Sequence, residues 1–240
     1  AILSLTIATG TAHAQSSGNF SATGTGASCV IGTGGALSGG TVLSSFTANL
    51  STGSGNGTTL DLRPALVTGL FTRTKIDTSV STASADVGIQ VCITVDGSGD
   101  GVLPAKCAIY DQRFQQVSSQ LFSQLSQCVL NPTGTCTTNA DCATGEICNN
   151  PTQGTGTGTC VTPNPLCNFE LILSTLSAHS FDFVVPVANG KPHVIQASWK
   201  VIGQGTTGDS STASCVGPGI LTVTQAKVFN NSGSLSFGSN

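Results

Sequence analysis

The stretch FDFVVPVANGKPHVIQASWKVI, residues 181–202, decides the fold predicted for this chain. Two runs of alternating apolar residues flank a loop with an Asn-Gly dipeptide, which is typical of hairpin turns. A two-residue turn at that dipeptide would mix the faces, whereas pairing Val187 with His193 collects the apolar residues on one side. The pattern therefore predicts an antiparallel hairpin with a loop at 188–192, one buried face and one solvated face.

The same register predicts where the single tryptophan lies. Trp199 falls opposite Phe181, and Ala197 falls opposite Phe183, so all four are expected on the buried face. A buried Trp199 argues against a sugar-binding platform on this hairpin, because such a platform needs an exposed aromatic side chain.

The composition favours an extracellular β protein. Only 8% of the 240 residues are charged, against about a quarter in typical proteins, while 38% are hydrophobic and the net charge is −3. None of the eight Lys and Arg residues is adjacent to another, so no basic footprint for nucleic acid or anionic lipid is present. After residue 14, no apolar run approaches the ~18 residues of a transmembrane helix.

Residues 1–14 resemble the end of a secretory signal peptide. A short apolar run precedes an A-x-A cleavage pattern at 12–14. The alternative is a first β-strand over 2–7. The signal interpretation predicts a secreted or cell-surface protein.

Ten cysteines support export, because an even number suits complete pairing in an oxidising compartment. They form two groups, and the pairing within each is left open. Cys29, Cys92, Cys107 and Cys215 are spread among predicted strands, whereas Cys128, Cys136, Cys142, Cys148, Cys160 and Cys167 are concentrated in one segment.

The remaining periodicity predicts strands and one helix. Val and Ile alternate without a break over 87–95, and 60–76 is expected to form one bent strand or two short ones, broken near Pro64 and Gly69. Over 111–128 the apolar residues are spaced three and four apart, which is typical of an amphipathic helix. The predicted fold class is all-β, mainly an antiparallel β-sandwich, with one amphipathic helix and a disulfide-rich loop insertion.

The insertion spans 129–166. Apolar residues nearly disappear there, and Thr, Gly, Asn, Pro and Cys replace them. Such a segment cannot stabilise a packed core and must be held by disulfides. The expected domain organisation is one β-sandwich domain, 15–128 and 167–240, interrupted by this cysteine-rich insertion.

Part of the insertion carries a recognisable pattern. Residues 136–148 are CTTNADCATGEIC, and GTC follows at 158–160. The segment 136–160 resembles the short cysteine-rich repeats of secreted proteins, C-x-x-D/N-x-D-C-x-x-G-x-x-C with a later G-x-C, and is similar to the cysteine-rich modules of Dickkopf-type proteins. The resemblance implies a disulfide scaffold rather than an activity.

One loop carries a metal-binding pattern. DGSGDG at 96–101 copies the first half of a calcium loop, with ligands at alternate positions and a glycine for the sharp turn. Asp96 and Asp100 are therefore the candidate metal ligands, and calcium is the one cofactor considered. A polar hairpin loop explains the same residues, since the twelfth position is Cys107 instead of the Glu of an EF-hand.

Signals for catalysis are sparse. His179 lies near Asp182 in sequence, but successive strand residues face opposite sides and make no triad. His193 lies at the mouth of the predicted hairpin, and both histidines are interpreted as ordinary surface or loop residues. No catalytic residue is assigned, and an enzyme is not expected. Glycosylation sequons occur at Asn19, Asn49, Asn56 and Asn230.

Three classes of function remain open. The first is a secreted or surface-exposed structural or adhesion-type protein, which fits the low charge and the cysteine-rich segment. The second is a carbohydrate- or ligand-binding β-sandwich module, and the third is an extracellular hydrolase whose site is not recognised. The expected partners are extracellular proteins or glycans.

Overall fold

A computed structural model describes residues 18–40, 44–54, 58–77, 82–118, 121, 128–149 and 156–227. These residues are mostly antiparallel β structure. Two large sheets lie face to face, and two smaller β elements are attached to them. The signal-like segment 1–14 lies outside the described residues.

The larger sheet is built around strand β5, Thr58–Ile76, which pairs with β15 along one edge and with β12 and β13 along the other. Strand β1 pairs with the far side of β15, and all these pairings are antiparallel. The bounds are Phe20–Thr25 for β1, Phe169–Ser180 for β12, Phe183–Val187 for β13 and Asp209–Lys227 for β15.

The smaller of the two large sheets has four antiparallel strands in the order β4-β14-β6-β7. The bounds are Ser45–Ser51 for β4, Thr82–Val95 for β6, Cys107–Ser118 for β7 and Pro192–Thr207 for β14. The strand predicted over 87–95 is confirmed as the C-terminal part of β6.

The inner faces of the two sheets share one hydrophobic core. Every second residue of β6 from Val87 to Val95 points inward, opposite leucines of β5 such as Leu62 and Leu70 that have no exposed surface. Each fully buried aliphatic or aromatic side chain contributes about 1.5–3 kcal/mol relative to an exposed one. Burial of these side chains therefore accounts for the packing of the two sheets against each other.

The hairpin predicted over 181–202 is wrong. Strand β13 pairs with β5 in the larger sheet, whereas β14 pairs with β4 and β6 in the smaller one. The chain crosses between the sheets at 188–191. The predicted inward positions of Phe183 and Ile195 are confirmed, since both are buried, whereas Phe181, which was also predicted to be buried, is 39% exposed. Alternation determines which face of a strand is buried, but it does not determine the neighbouring strand.

Trp199 has a different partner from the one expected. Its ring packs against Phe46 of β4 with centroids 4.9 Å apart, and its side chain is half-buried at the margin of the core. Phe181, which lies in the link between β12 and β13, instead contacts Phe183, with ring centroids 4.9 Å apart. The predicted contact of Trp199 with these two phenylalanines is wrong, since they lie on opposite sheets.

Strand β5 runs without interruption through the two residues expected to break it. Pro64 lies in register with Leu221, and its carbonyl oxygen accepts a 2.7 Å hydrogen bond from the Tyr110 hydroxyl. A Cβ atom on Gly69 would lie 2.7 Å from the Cys215 sulfur. The glycine thus leaves room for a disulfide on the outer face of the strand.

The helix predicted over 111–128 is wrong for 111–118, which form the second half of β7. Asp111 and Gln115 point inward and contact side chains of the larger sheet, whereas Phe114 points to solvent and is 66% exposed. The apolar residues that suggested a helical face therefore do not share a face. Of the rest of the predicted helix, 119–120 and 122–127 lie outside the described residues.

A short hairpin covers part of the outer face of the larger sheet. Its strands are β2, Cys29–Ile31, and β3, Leu37–Gly39, joined through a 3-10 turn at Thr33–Gly35. The Cys29–Cys215 disulfide ties it to β15, and the Ser174 hydroxyl donates a hydrogen bond to the Gly35 carbonyl.

The cysteine-rich segment forms its own small sheet around β11, Gly158–Pro163. The strands that pair with β11 are β8 (Val129–Leu130), β9 (Thr135–Cys136) and β10 (Ile147–Asn149), and a second 3-10 turn spans Asn139–Asp141. We call the residues from Cys128 to Cys167 the cysteine-rich module.

The disulfides follow the two groups of cysteines seen in the sequence. All ten cysteines are paired, as predicted. Two bridges interleave inside the module, and a third closes its base with a Cα–Cα distance of 5.6 Å. The five bridges are Cys29–Cys215, Cys92–Cys107, Cys128–Cys167, Cys136–Cys148 and Cys142–Cys160.

The base of the module rests on a second apolar cluster. Cys128 is buried with Ile76 of β5 and Ala83 of β6, and Val117 and Phe169 pack against them. The module is therefore attached to one end of the two-sheet domain through a disulfide and a few apolar contacts.

Candidate functional site

Among the described residues we consider three regions as candidate sites, and the first joins Asp96 to His193. The Asp96 carboxylate lies 2.7 Å from His193 Nδ1 and accepts a 2.9 Å hydrogen bond from the Val194 amide. His193 Nε2 lies 2.9 Å from the Ala188 carbonyl oxygen. The pair thus fastens the turn after β6 to the crossing between the sheets.

This pair has the geometry of a structural contact. His193 is only 4% exposed, and both ring nitrogens face oxygen acceptors, so no ring nitrogen is directed at solvent. The hydrogen bond from Val194, and then that from His193, lowers the pKa of Asp96. Asp96 is therefore held as a carboxylate that completes the hydrogen bonding of β14.

The loop with the calcium-like pattern gives its two aspartates different surroundings. Both oxygens of Asp96 are directed at β14, while the Asp100 backbone amide donates a 3.0 Å hydrogen bond to the Ser98 hydroxyl oxygen within the loop. Calcium binding by Asp96 and Asp100 stays a prediction that none of these contacts supports. In the described ranges, one set of three potential metal-ligand side chains lies close together, with ligand atoms within 4.8 Å of one another. It consists of Cys136, Cys142 and Cys160, whose sulfurs form disulfides.

The second region lies between the edge strands β7 and β12. His179 Nε2 is 3.7 Å from an Asp111 carboxylate oxygen, and the Thr68 hydroxyl donates to the same oxygen at 3.2 Å. Tyr110 packs near the imidazole with centroids 6.3 Å apart, and burial raises the pKa of its phenol. His179 thus meets Asp111 rather than Asp182, its neighbour in sequence.

The His179 contact continues into a row of buried hydrogen bonds between the sheets, which we call the polar seam. Gln115 accepts a 2.7 Å hydrogen bond from Thr72 and donates to Thr74 and to the Leu171 carbonyl. Thr72 and Thr74 have no exposed surface. The Arg113 guanidinium donates hydrogen bonds to the Leu70 carbonyl oxygen and the Thr175 hydroxyl oxygen. At this end of the domain, hydrogen bonds between side chains link the sheets.

The third region is a groove of about 410 Å³ on the outer face of the larger sheet. A volume of this order is within the range of small-molecule sites. Four strands contribute to it, and its lining contains no Phe, Tyr or Trp. The apolar residues of its lining are Ala65, Leu66, Val67, Ala178, Pro218 and Ile220, and the polar ones are Thr25, His179 and Ser180.

Charged groups flank this groove along β5. Arg63, two residues from Ala65 on the same face, forms an exposed ion pair with Asp182 at 3.2 Å. Asp61 follows on that face, and partial burial together with the Asp182 charge raises its pKa. The groove is therefore apolar along its floor and charged at one end.

The module uses its polar signature residues as backbone caps. The Asp141 carboxylate accepts hydrogen bonds from the amides of Thr137 and Thr138 at 2.8 and 2.9 Å, and these lower its pKa to about 2. The Asn139 side-chain oxygen accepts the Cys148 amide at 2.9 Å. The Asn and Asp of the cysteine-rich pattern thus hold a tight turn.

The sequons fall in dissimilar environments. The Asn19 amide nitrogen donates to the Ser51 carbonyl at 2.6 Å and to Gln225 at 2.8 Å, so it is part of the fold. Asn49 is exposed on β4. Asn56 and Asn230 lie outside the described residues.

Comparisons with known proteins gave no match to a family model, a curated protein or a solved structure. Among the described residues, no helix combines the length and the apolar character needed to cross a membrane.

Sequence reasoning missed the polar seam and the groove. The sequence of β5 contains a signal for the seam, since Thr68, Thr72 and Thr74 are separated by even numbers of residues and so lie on one face of the strand. Their partners on β7 were not recognised because 111–128 was predicted to be a helix. The groove left no sequence signal, because its residues come from four strands that are distant in sequence.

Proposed function

We propose that this protein is a secreted or surface-exposed structural or adhesion-type protein, in which a β-sandwich domain carries the cysteine-rich module as a recognition element. One observation carries the proposal. The Cys128–Cys167 bridge closes the base of the module on an apolar cluster of the domain, so the module is presented from a fixed point.

The proposal is supported by the exposed side chains of the module. Leu166 is 84% exposed and Leu130 is 40% exposed, and interaction surfaces commonly carry such apolar residues within a polar rim. Five disulfides suit an oxidising extracellular compartment. The signal-like segment 1–14 and the similarity of 136–160 to Dickkopf-type modules agree with export.

The test measures adsorption of the fluorescently labelled protein to surfaces coated with polysaccharides or extracellular glycoproteins. Replacing 129–166 by a short Gly/Ser linker, with Cys128 and Cys167 kept, is expected to abolish adsorption while the β circular-dichroism signal remains. Leu166→Ser is expected to weaken adsorption. Leu173→Ser is the control, since Leu173 is 41% exposed but lies on β12. Adsorption that survives removal of the module would overturn the assignment.

The second candidate function is binding of a small apolar ligand in the groove of the larger sheet. Its volume of about 410 Å³ and its mainly aliphatic lining, which has no aromatic hydrocarbon ring, suit an acyl chain or a branched hydrocarbon better than a sugar, which stacks on aromatic rings. A fluorescent fatty acid should bind to the wild type and not to Ala65→Trp, which fills the groove. Ala22→Trp, on β1 outside the groove lining, is the matched control.

The hydrolase alternative has less support. Asp182 pairs with Arg63, His179 approaches Asp111, and both nitrogens of His193 are used within the fold. These three residues therefore serve three separate contacts in the part of the chain that the structure describes.

A further inference from the structure

The five disulfides differ in their access to solvent. In four of them one cysteine is buried: Cys29 is 5% exposed, Cys128 7%, Cys136 3% and Cys160 3%. Cys92–Cys107 is the remaining bridge, and both of its cysteines are half-exposed. All ten cysteines lie in the described residues, so this comparison covers every bridge in the chain.

The bridge lies on the outer face of its sheet. Cys92 and Cys107 are direct partners in the antiparallel pairing of β6 with β7. The neighbours of Cys92 on β6, Val91 and Ile93, have no exposed surface and point into the core. Because successive strand residues face opposite sides, both sulfurs lie on the solvent side of the smaller sheet.

The loop that this bridge closes is also fastened by other contacts. Leu103 and Val184 exchange two backbone hydrogen bonds of 2.8 and 2.9 Å across the sheets. Val102 is only 5% exposed, and Asp96 is bound to His193. Opening the disulfide therefore leaves the loop and the β6–β7 pairing in place.

We propose that the Cys92–Cys107 disulfide is a thiol-reactive site, which external thiols open while the fold and the other four bridges stay intact. An incoming thiolate bonds to one of the two sulfurs, and the S–S bond breaks to release the other cysteine as a thiolate. A second external thiolate then attacks the external sulfur of this mixed disulfide. The two external sulfurs leave as a disulfide, and the remaining cysteine is released as a thiolate. Two external thiols are oxidised, and both cysteines are reduced.

The mixed disulfide of the first step is a covalent attachment point. Solvent access governs which disulfides are attacked and which resist reduction. A thiol-bearing molecule would thus be joined to the outer face of the smaller sheet, away from the cysteine-rich module and from the groove. The released thiolate remains beside the adduct and can restore the bridge.

The test exposes the folded full-length chain to reduced glutathione, followed by N-ethylmaleimide at successive times and peptide mapping. Label and glutathione adducts are expected at Cys92 and Cys107 at least about tenfold faster than at the other eight cysteines, with an unchanged β circular-dichroism signal. Cys136–Cys148 is the internal control, because it closes a similar span, 12 residues against 15, with one cysteine buried.

Equal labelling rates at these two bridges would overturn the proposal. It would also be overturned if Cys92 became labelled only when the circular-dichroism signal was lost. The double variant Cys92→Ser/Cys107→Ser is expected to fold and to take up no label over the same period. A double variant that does not fold would also contradict the proposal, because it would make the bridge necessary for the fold.

Discussion

The two-sheet domain and the cysteine-rich module are stabilised by different means within one chain. The domain buries leucine, isoleucine, valine and phenylalanine from both sheets in a continuous core. Among the described residues of the module, the buried apolar side chains are Cys128, Cys136, Cys160 and Val161. The module therefore depends on three disulfides and on capping hydrogen bonds, since it has too little apolar surface for a core.

The domain itself contains a similar contrast. Over most of its length its sheets meet through aliphatic side chains, whereas around Gln115 they meet through the polar seam. The hydrophobic effect is non-directional, whereas a buried hydrogen-bond network stabilises the fold only if its donors and acceptors are satisfied. The apolar core, the polar seam and the cysteine-rich module should therefore respond differently to substitution, reduction and pH.

The largest expected effect is in the apolar core. Phe183→Ala should lower the free energy of unfolding by ~3–5 kcal/mol, because the side chain has no exposed surface and leaves a cavity. Urea denaturation followed by circular dichroism measures the change. Phe114→Ala is the control and should change stability by less than about 0.5 kcal/mol, since Phe114 is 66% exposed. Similar losses in both variants would contradict the assigned core.

The next effect is confined to the module. Cys136→Ser/Cys148→Ser removes a bridge of a kind that typically contributes about 2–4 kcal/mol, and few other contacts replace it. Limited proteolysis should then cut between 129 and 166, while the thermal midpoint of the two-sheet domain is retained. If the domain unfolds together with the module, the two regions form a single cooperative unit and the division into domain and insertion is wrong.

A smaller effect is expected at the polar seam. Gln115→Leu leaves the Thr72 and Thr74 hydroxyls and the Leu171 carbonyl without their partner, which should cost ~1–3 kcal/mol in urea denaturation. Gln116→Leu is the matched control, because Gln116 is the exposed neighbour on the same strand. Equal stability of the two variants would show that the seam is solvated in solution.

The smallest effect concerns pH and is local to the module. The pKa of Asp141 is lowered from 3.8 to about 2, so its carboxylate caps the Thr137 and Thr138 amides fully above pH 3.8. The contribution is lost as the pH falls from 3.8 towards 2. Hydrogen exchange should show these two amides losing protection in that range. Asp141→Ala should show the loss at neutral pH, whereas Asp100→Ala should leave both amides protected.

The sequence predicted individual strands better than their partners. The alternation over 87–95 identified β6, and the alternation over 181–202 identified the buried residues of β13 and β14. It assigned β13 and β14 to one hairpin, because strands that pair side by side and strands that face each other across a core bury the same alternate residues. Only the pairing of β13 with β5 separates these cases.

The candidate sites were less accessible to sequence reasoning. Asp96 was selected for a calcium pattern, but its contacts are with His193 and Val194, nearly 100 residues away. The segment 111–118 was interpreted as part of a helix because the apolar residues of 111–128 are spaced three and four apart. In the strand that forms instead, Asp111 and Gln115 occupy inward positions. They point inward because buried threonines of β5 hydrogen-bond to them, and such partners are invisible to a periodicity argument.

The sequence by itself determined the β class, the two groups of cysteines and most core-facing positions of β6, β13 and β14, because these follow from local periodicity and composition. The tertiary structure decided which strands share a sheet, how the cysteines pair, which polar residues are satisfied inside and where the groove forms. These features depend on contacts between residues far apart in the chain, such as Cys29 with Cys215. Their free energy is realised only when both sheets assemble, and no local pattern specifies them.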